Sequence, residues 1–197
     1  VQLLTDRKPG GIGQDVLLNI NDLDINYFSK TLETGLDIGG KLNAQYYMQL
    51  YPESMQLDYV TDISSFHIGD FKADTLLVDG IFGYENKKMG SEGKLMIDKS
   101  EKLNYIANID EDIDINVGVR SFPLPLINGF MPANMQFAGE TTGNISIKGK
   151  ELGKTQVDGF VMMQNGSLNY ADLDAKIIFP KDSIQIRRNR VRFRDYN

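Results

Sequence analysis

At 197 residues with 41% hydrophobic side chains, the chain is long enough to build a substantial core, as one domain or as an elongated repeat-like segment. A formal net charge of −6 argues against a general nucleic-acid binder, whose phosphate affinity is mostly electrostatic, and the absence of cysteine excludes disulfides and thiolate chemistry. The charge is uneven: residues 181–197 hold six Lys/Arg against two Asp, net +4, which leaves −10 on residues 1–180.

In chain order, the dominant pattern is strict polar/apolar alternation. Leu36, Ile38, Leu42, Ala44, Tyr46, Met48 and Leu50 alternate with Asp37, Lys41, Asn43, Gln45 and Gln49, and the same period of two runs from Asp112 to Arg120. Such a period sends successive side chains to opposite faces of a pleated sheet, one apolar and one wet. It predicts strands near 14–20, 23–29, 34–38, 41–51, 55–60, 65–73, 75–83, 93–98, 103–109, 112–121, 137–148, 155–164, 167–179, 183–187 and 190–195. No long segment has the three-to-four spacing of an amphipathic helix that would cover the apolar face. The expected fold is therefore all-β: an elongated, open β-groove of mostly consecutive strands with one short helix near 122–131.

Turn chemistry separates the strands. Gly39-Gly40 suits a tight hairpin, Asn165-Gly166 is the strongest hairpin signal, and Pro52-Glu53-Ser54 and Asn86-Lys87-Lys88 read as ordinary loops. The alternation breaks once, from Ser121 to Met135. There Pro123 and Pro125 suit the first turn of a short helix, Gly129 its end, and Pro132 stops it. Leu124, Leu126, Ile127, Phe130 and Met131 form an apolar cluster that reads as a plug on the end of a β core, with a lid or membrane-touching element as the alternative. The apolar run Phe122–Met131 is too short and too broken to span a bilayer. The chain opens at Val1 without a basic-plus-apolar leader and still alternates near its end, so it reads as a single β domain, 1–197, cut from a longer protein.

Catalytic chemistry is poorly supported, and the chain reads as a non-enzyme with no cofactor. His67 is the only histidine and has no evident partner for general-base work. Asp110-Glu111-Asp112 with Asp114 offers oxygen ligands for calcium but lacks the glycine and spacing of an EF-hand loop, so no metal site is expected. Arg188, Arg190, Arg192 and Arg194 fall on one strand face, opposite Val191 and Phe193; a solvated, aggregation-blocking face is the plain reading, and contact with lipid phosphate headgroups the functional one. The stripes themselves are the remaining signal: Phe137, Ile145 and Ile147, then Val157, Val161 and Met163, then Ile177 and Phe179, Ile184 and Ile186, Val191 and Phe193. Gly139, Gly143, Gly149 and Gly159 share the apolar parity of their strands, which permits sharp bending or close approach of a ligand. The same alternation would line a dry core or a greasy groove about one acyl chain wide.

From Phe122 onward the order of motifs carries a resemblance. A proline-flanked apolar segment precedes Phe137-Ala-Gly-Glu-Thr-Thr-Gly-Asn-Ile-Ser-Ile-Lys-Gly. Val157-Asp-Gly-Phe-Val-Met-Met-Gln-Asn-Gly-Ser-Leu-Asn-Tyr and Asp182-Ser-Ile-Gln-Ile-Arg-Arg-Asn-Arg-Val-Arg-Phe-Arg-Asp follow. This succession resembles the C-terminal region of the TamB family (translocation and assembly module subunit), within the AsmA-like superfamily. It departs where Glu151-Leu-Gly-Lys replaces the usual proline connection, and before Phe122 only the general strand pattern agrees. The resemblance implies a β-taco groove in a periplasmic bridge anchored to the inner membrane by a segment outside this chain, with a TamA-like outer-membrane barrel as partner. It also implies phospholipid acyl chains carried between membranes, the stripe residues as their contacts. The alternatives are a scaffold assisting insertion of outer-membrane β-barrel proteins and a closed β-sandwich acting as a structural module. Edge-strand self-association of the fragment is a further expectation.

Overall fold

The computed structural model describes residues 1–194 apart from 9, 11, 28–36, 133, 151–153 and 174. Its described strands are β1 (Gln2–Arg7), β2 (Gln14–Asp24), β3 (Ile38–Leu50), β4 (Ser54–Ile68), β5 (Phe71–Glu85), β6 (Lys88–Ile97), β7 (Ser100–Ile109), β8 (Ile113–Pro123), β9 (Met135–Gly149), β10 (Thr155–Tyr170), β11 (Ala175–Arg187) and β12 (Arg190–Arg194). All twelve pair antiparallel in sequence order within one open sheet, leaving β1 and β12 as its two edges. The second sheet that a sandwich requires is not formed among the described residues.

Several elements depart from the sequence reading. The Asn165-Gly166 pair makes no hairpin but a bulge inside β10: the β9–β10 register slips by one between Gln164 and Ser167, with Asn165 at φ 50°. A bulge and a primed turn both need a residue that tolerates positive φ, so the dipeptide alone does not separate them. Gly39-Gly40 is likewise a bulge, at the start of β3. The strand expected across 65–73 is split by the turn at Gly69-Asp70, and the one across 167–179 by a 3-10 turn at Ala171–Leu173. β1 was not anticipated. The expected strands at 23–29 and 34–38 lie partly outside the described residues, and 25–27 forms a helical turn.

Of the four two-residue hairpin turns among the described residues, three carry no glycine; the fourth is Gly69-Asp70 between β4 and β5. Asn86-Lys87, Asp98-Lys99 and Arg188-Asn189 each hold positive φ at both positions, the signature of a type I′ turn. Two of them reach back to lengthen the ladder. The backbone N–H of Asp98 donates to the Thr75 carbonyl while Asp98 Oδ1 accepts from the Thr75 N–H, both at 3.0 Å. Asn189 does the same to Val157 (3.1 and 2.6 Å), and its Nδ2 adds a bond to the Thr155 carbonyl at 2.8 Å. An asparagine amide offers the donor and acceptor of a peptide group, so Asn189 stands in for the next residue of β11. Asn189→Ala should lower stability by about 1–3 kcal/mol, from lost bonds plus alanine's aversion to positive φ. Asn189→Gly, which keeps the turn, isolates the bonds. Amide exchange at Val157 should quicken in both.

The short helix is a 3-10 helix, Leu124–Phe130. It contacts both β9 and β4. Those strands are five positions apart, about 24 Å across a flat sheet, whereas a helix is about 10–12 Å wide, so the sheet curls around it. Asn128 staples it down: Nδ2 donates to the Phe137 carbonyl (2.9 Å) and Oδ1 accepts from the Phe137 N–H (2.8 Å). Leu126 enters the core made by Ile63, Phe66, Ile68, Ala73, Leu76 and Ile97, and Leu124 is also buried. The expected apolar cluster is split, because Phe130 and Met131 stay exposed.

Candidate functional site

Register converts the alternation into rows that cross the sheet at right angles to the strands. One row runs Leu3, Leu18, Tyr46, Tyr59, Gly80, Gly93, Tyr105, Val117, Ile145, Gly159, Ile186 and Val191, from one edge to the other. The neighbouring row holds Met48, Leu57, Phe82, Ser91, Ala107, Ile115, Ile147 and Val157. On its other side lie Ala44, Thr61, Val78, Leu95, Leu103, Val119, Gly143, Val161 and Ile184. At about 4.8 Å per strand, the apolar floor extends about 50 Å along the sheet's curve.

Burial along this face is graded. Most of the buried side chains cluster beneath the helix, with Ile68 only 1% exposed, while Ile113 is buried at the opposite end. The middle rows are half-buried, and Tyr84 and Met89 at the far end of β5 and β6 are exposed. The molecule exposes 13069 Å², whereas a compact protein of 22.2 kDa exposes about 9,400 Å². The molecule is therefore open rather than compact, and the apolar rows are half-buried rather than sealed as a dry core.

The structure assembles the sequence-predicted stripe residues unevenly. Ile145, Ile147, Val157, Val161, Ile184 and Ile186 occupy three adjacent rows and are half-buried. Met163 lies opposite Thr141 and Asp182, at the edge of that patch. Beyond the β10 bulge, Phe137 and Ile177 flank Leu168 in a separate row near the helix, and Phe179 pairs with Gly166. Ile177 is exposed. Val191 and Phe193 take their register opposite Ile186 and Ile184, but their side chains, like that of Arg194, lie outside the described residues. Arg190 and Arg192 are exposed along β12. Arg188 does not share their strand: it sits in the turn, its N–H donating to Asp158 Oδ1 at 3.0 Å.

Among the described residues, the acidic and basic groups singled out by sequence form local ion pairs and hydrogen bonds. His67 Nε2 faces Asp37 at 3.7 Å, Asp110 pairs with Lys88 at 2.7 Å, and Asp114 takes Lys148 at 3.0 Å and Asn116 at 2.8 Å. Lys148 holds the Asp114 carboxyl below its ordinary pKa, and Asp158 is lowered by Gln156 and by the Arg188 N–H.

The feature that sequence reasoning missed is a tyrosine bridge on the apolar face. Tyr59 of β4 and Tyr105 of β7 meet over the two intervening strands through hydroxyls 2.7 Å apart, and Ser91 joins the Tyr105 hydroxyl at 2.9 Å. They lie flat because Gly80 and Gly93 stand beneath them; a β-carbon at Gly80 would overlap the Tyr59 hydroxyl, and one at Gly93 the Tyr105 ring. Apolar-parity glycines paired between tyrosines were the available signal. Burial, then the Tyr105 hydrogen bond, pushes the Tyr59 phenol up to about 12. A raised folded-state pKa means that the neutral phenol is favoured by folding. Its stabilisation is complete below about pH 10 and is lost as pH rises toward 12. Thermal melts should decline across that window, less so in Tyr59→Phe, and a phenolate absorbance titration should show one late-ionising tyrosine.

Compared with protein-family models, with curated proteins and with solved structures, the chain matches none.

Proposed function

We propose that the chain is a non-catalytic carrier segment whose apolar face holds phospholipid acyl chains, within a periplasmic bridge joining inner and outer membranes. The half-buried apolar floor carries this reading: rows of aliphatic side chains not sealed into a dry core, with the helix seated at one end and exposed Tyr84 and Met89 at the other. Each methylene taken from water onto such a floor contributes about 0.8 kcal/mol, so half of a sixteen-carbon chain contributes about 6 kcal/mol. The resemblance to the TamB family from Phe122 onward supports the same use. Arg190 and Arg192 on the β12 edge supply cations for headgroup phosphates.

A second reading has its own observation. β1 and β12 pair on one side only among the described residues, and an unpaired edge accepts an extended client strand by β-augmentation, as a scaffold for outer-membrane β-proteins working with a TamA-like barrel requires. Mass spectrometry of organic extracts of gently purified protein separates the two. Stoichiometric phospholipid is expected for the carrier; a lipid-free protein that also refuses an environment-sensitive hydrophobic dye sinks it.

A further inference from the structure

The polar face of the sheet holds a depression of about 910 Å³, and neither the stripes nor the carrier reading uses it. Its floor is one cross-strand row, Leu17, Tyr47, Asp58, Ile81, Glu92 and Ile106, from β2 to β7. Val60 and Asp79 adjoin in the next row. Val60, Ile81 and Ile106 are 45%, 43% and 52% exposed and stand among the depression's carboxylates. Four carboxylates line the depression, Asp58, Asp79, Glu92 and Glu101, against one cation, Lys94, which is already paired with Asp79 at 3.3 Å.

We propose that this depression docks a basic amphipathic α-helix of a partner protein, laid across β2–β7 at right angles to the strands. Three features fit that occupant. The floor spans five strand spacings, about 24 Å, the length of a helix of about 16 residues. Helical turns repeat about every 5.4 Å, close to the strand spacing of about 4.8 Å, so a helix can set apolar side chains over Leu17, Tyr47, Ile81 and Ile106 and basic ones over Asp58 and Glu92 between them. The carboxylates complement Lys and Arg of such a helix and repel anionic phospholipid headgroups, which distinguishes this face from the apolar one. The site is independent of the carrier reading.

The test uses fluorescein-labelled 18-residue Leu/Lys peptides, followed by anisotropy against the whole chain. One carries leucine at helical spacing; its isomer has the same composition with strict alternation. The helical peptide should bind at least about tenfold tighter than the isomer, because only its apolar stripe is continuous as a helix. Ile81→Ser/Ile106→Ser, with folding checked by circular dichroism, should weaken the helical peptide about tenfold and leave the isomer unchanged. Equal affinity of both peptides for the native chain overturns the proposal, as does unchanged affinity in the serine variant. Loss of co-purified phospholipid in that variant, in place of lost peptide binding, also overturns it and assigns the depression to lipid.

Discussion

Ile145→Asp/Val161→Asp is expected to leave the chain folded while abolishing recovery of bound phospholipid. Both positions lie in the middle rows of the apolar face, where side chains are half-buried and water already reaches them. A carboxylate placed there costs little to hydrate, in contrast to one forced into a dry interior. An acyl chain on the same floor would have to strip water from both charges, so the ligand suffers where the fold does not. Circular dichroism and a melting curve near the native one, together with empty organic extracts, are the expected pair of results. A variant that fails to fold would show that these rows form a dry core.

The opposite balance is expected at Ile68→Ala. Ile68 is 1% exposed and packs beneath the helix among Phe66, Ala73, Leu76 and Leu126. Truncation should cost about 2–5 kcal/mol, the usual penalty of a buried aliphatic cavity. Gly129 supplies a built-in control, since a β-carbon there would overlap Ile68 Cγ1 and Cδ1. Gly129→Ala alone should overpack the site and cost about 1–3 kcal/mol. Combined with Ile68→Ala, the new methyl enters the space left by the missing isoleucine atoms, so the double variant should be more stable than the two losses added together. Chemical denaturation of the four proteins in the cycle measures this; strict additivity would mean that the helix does not seat on Ile68.

Alternation made the strands and the one-faced apolar sheet legible, and the prolines around Leu124–Phe130 marked the helix. Strand boundaries were less legible, because a bulge and a two-residue turn each shift the side-chain phase by one residue, and the pattern alone does not tell one from the other. Gly69-Asp70 therefore hid inside an apparent strand, while Asn86-Lys87 and Asp98-Lys99 turned without the glycine that usually announces a primed turn. At the apolar face, the predicted stripe residues could be assigned to parity but not to rows, since rows depend on pairing register. The Tyr59–Tyr105 bridge was out of reach for the same reason: it joins residues 46 apart in the chain across two strands that set Gly80 and Gly93 beneath it. The depression on the polar face was missed because Val60, Ile81 and Ile106 interrupt polar runs singly, and only pairing brings them together across β4–β7 with Asp58, Asp79 and Glu92 between them.

Strictly sequential pairing makes the molecule nearly one-dimensional. Each strand draws its stability from its two neighbours, and the helix clasped between β4 and β9 is the main link that skips along the series. Such an array behaves like a short chain of coupled switches. Unfolding should begin at the outer hairpins, β1–β2 and β11–β12, and move inward until it reaches the clasped segment, which opens as a unit. Length then becomes adjustable: hairpins added at either edge would extend the ribbon without disturbing the clasp.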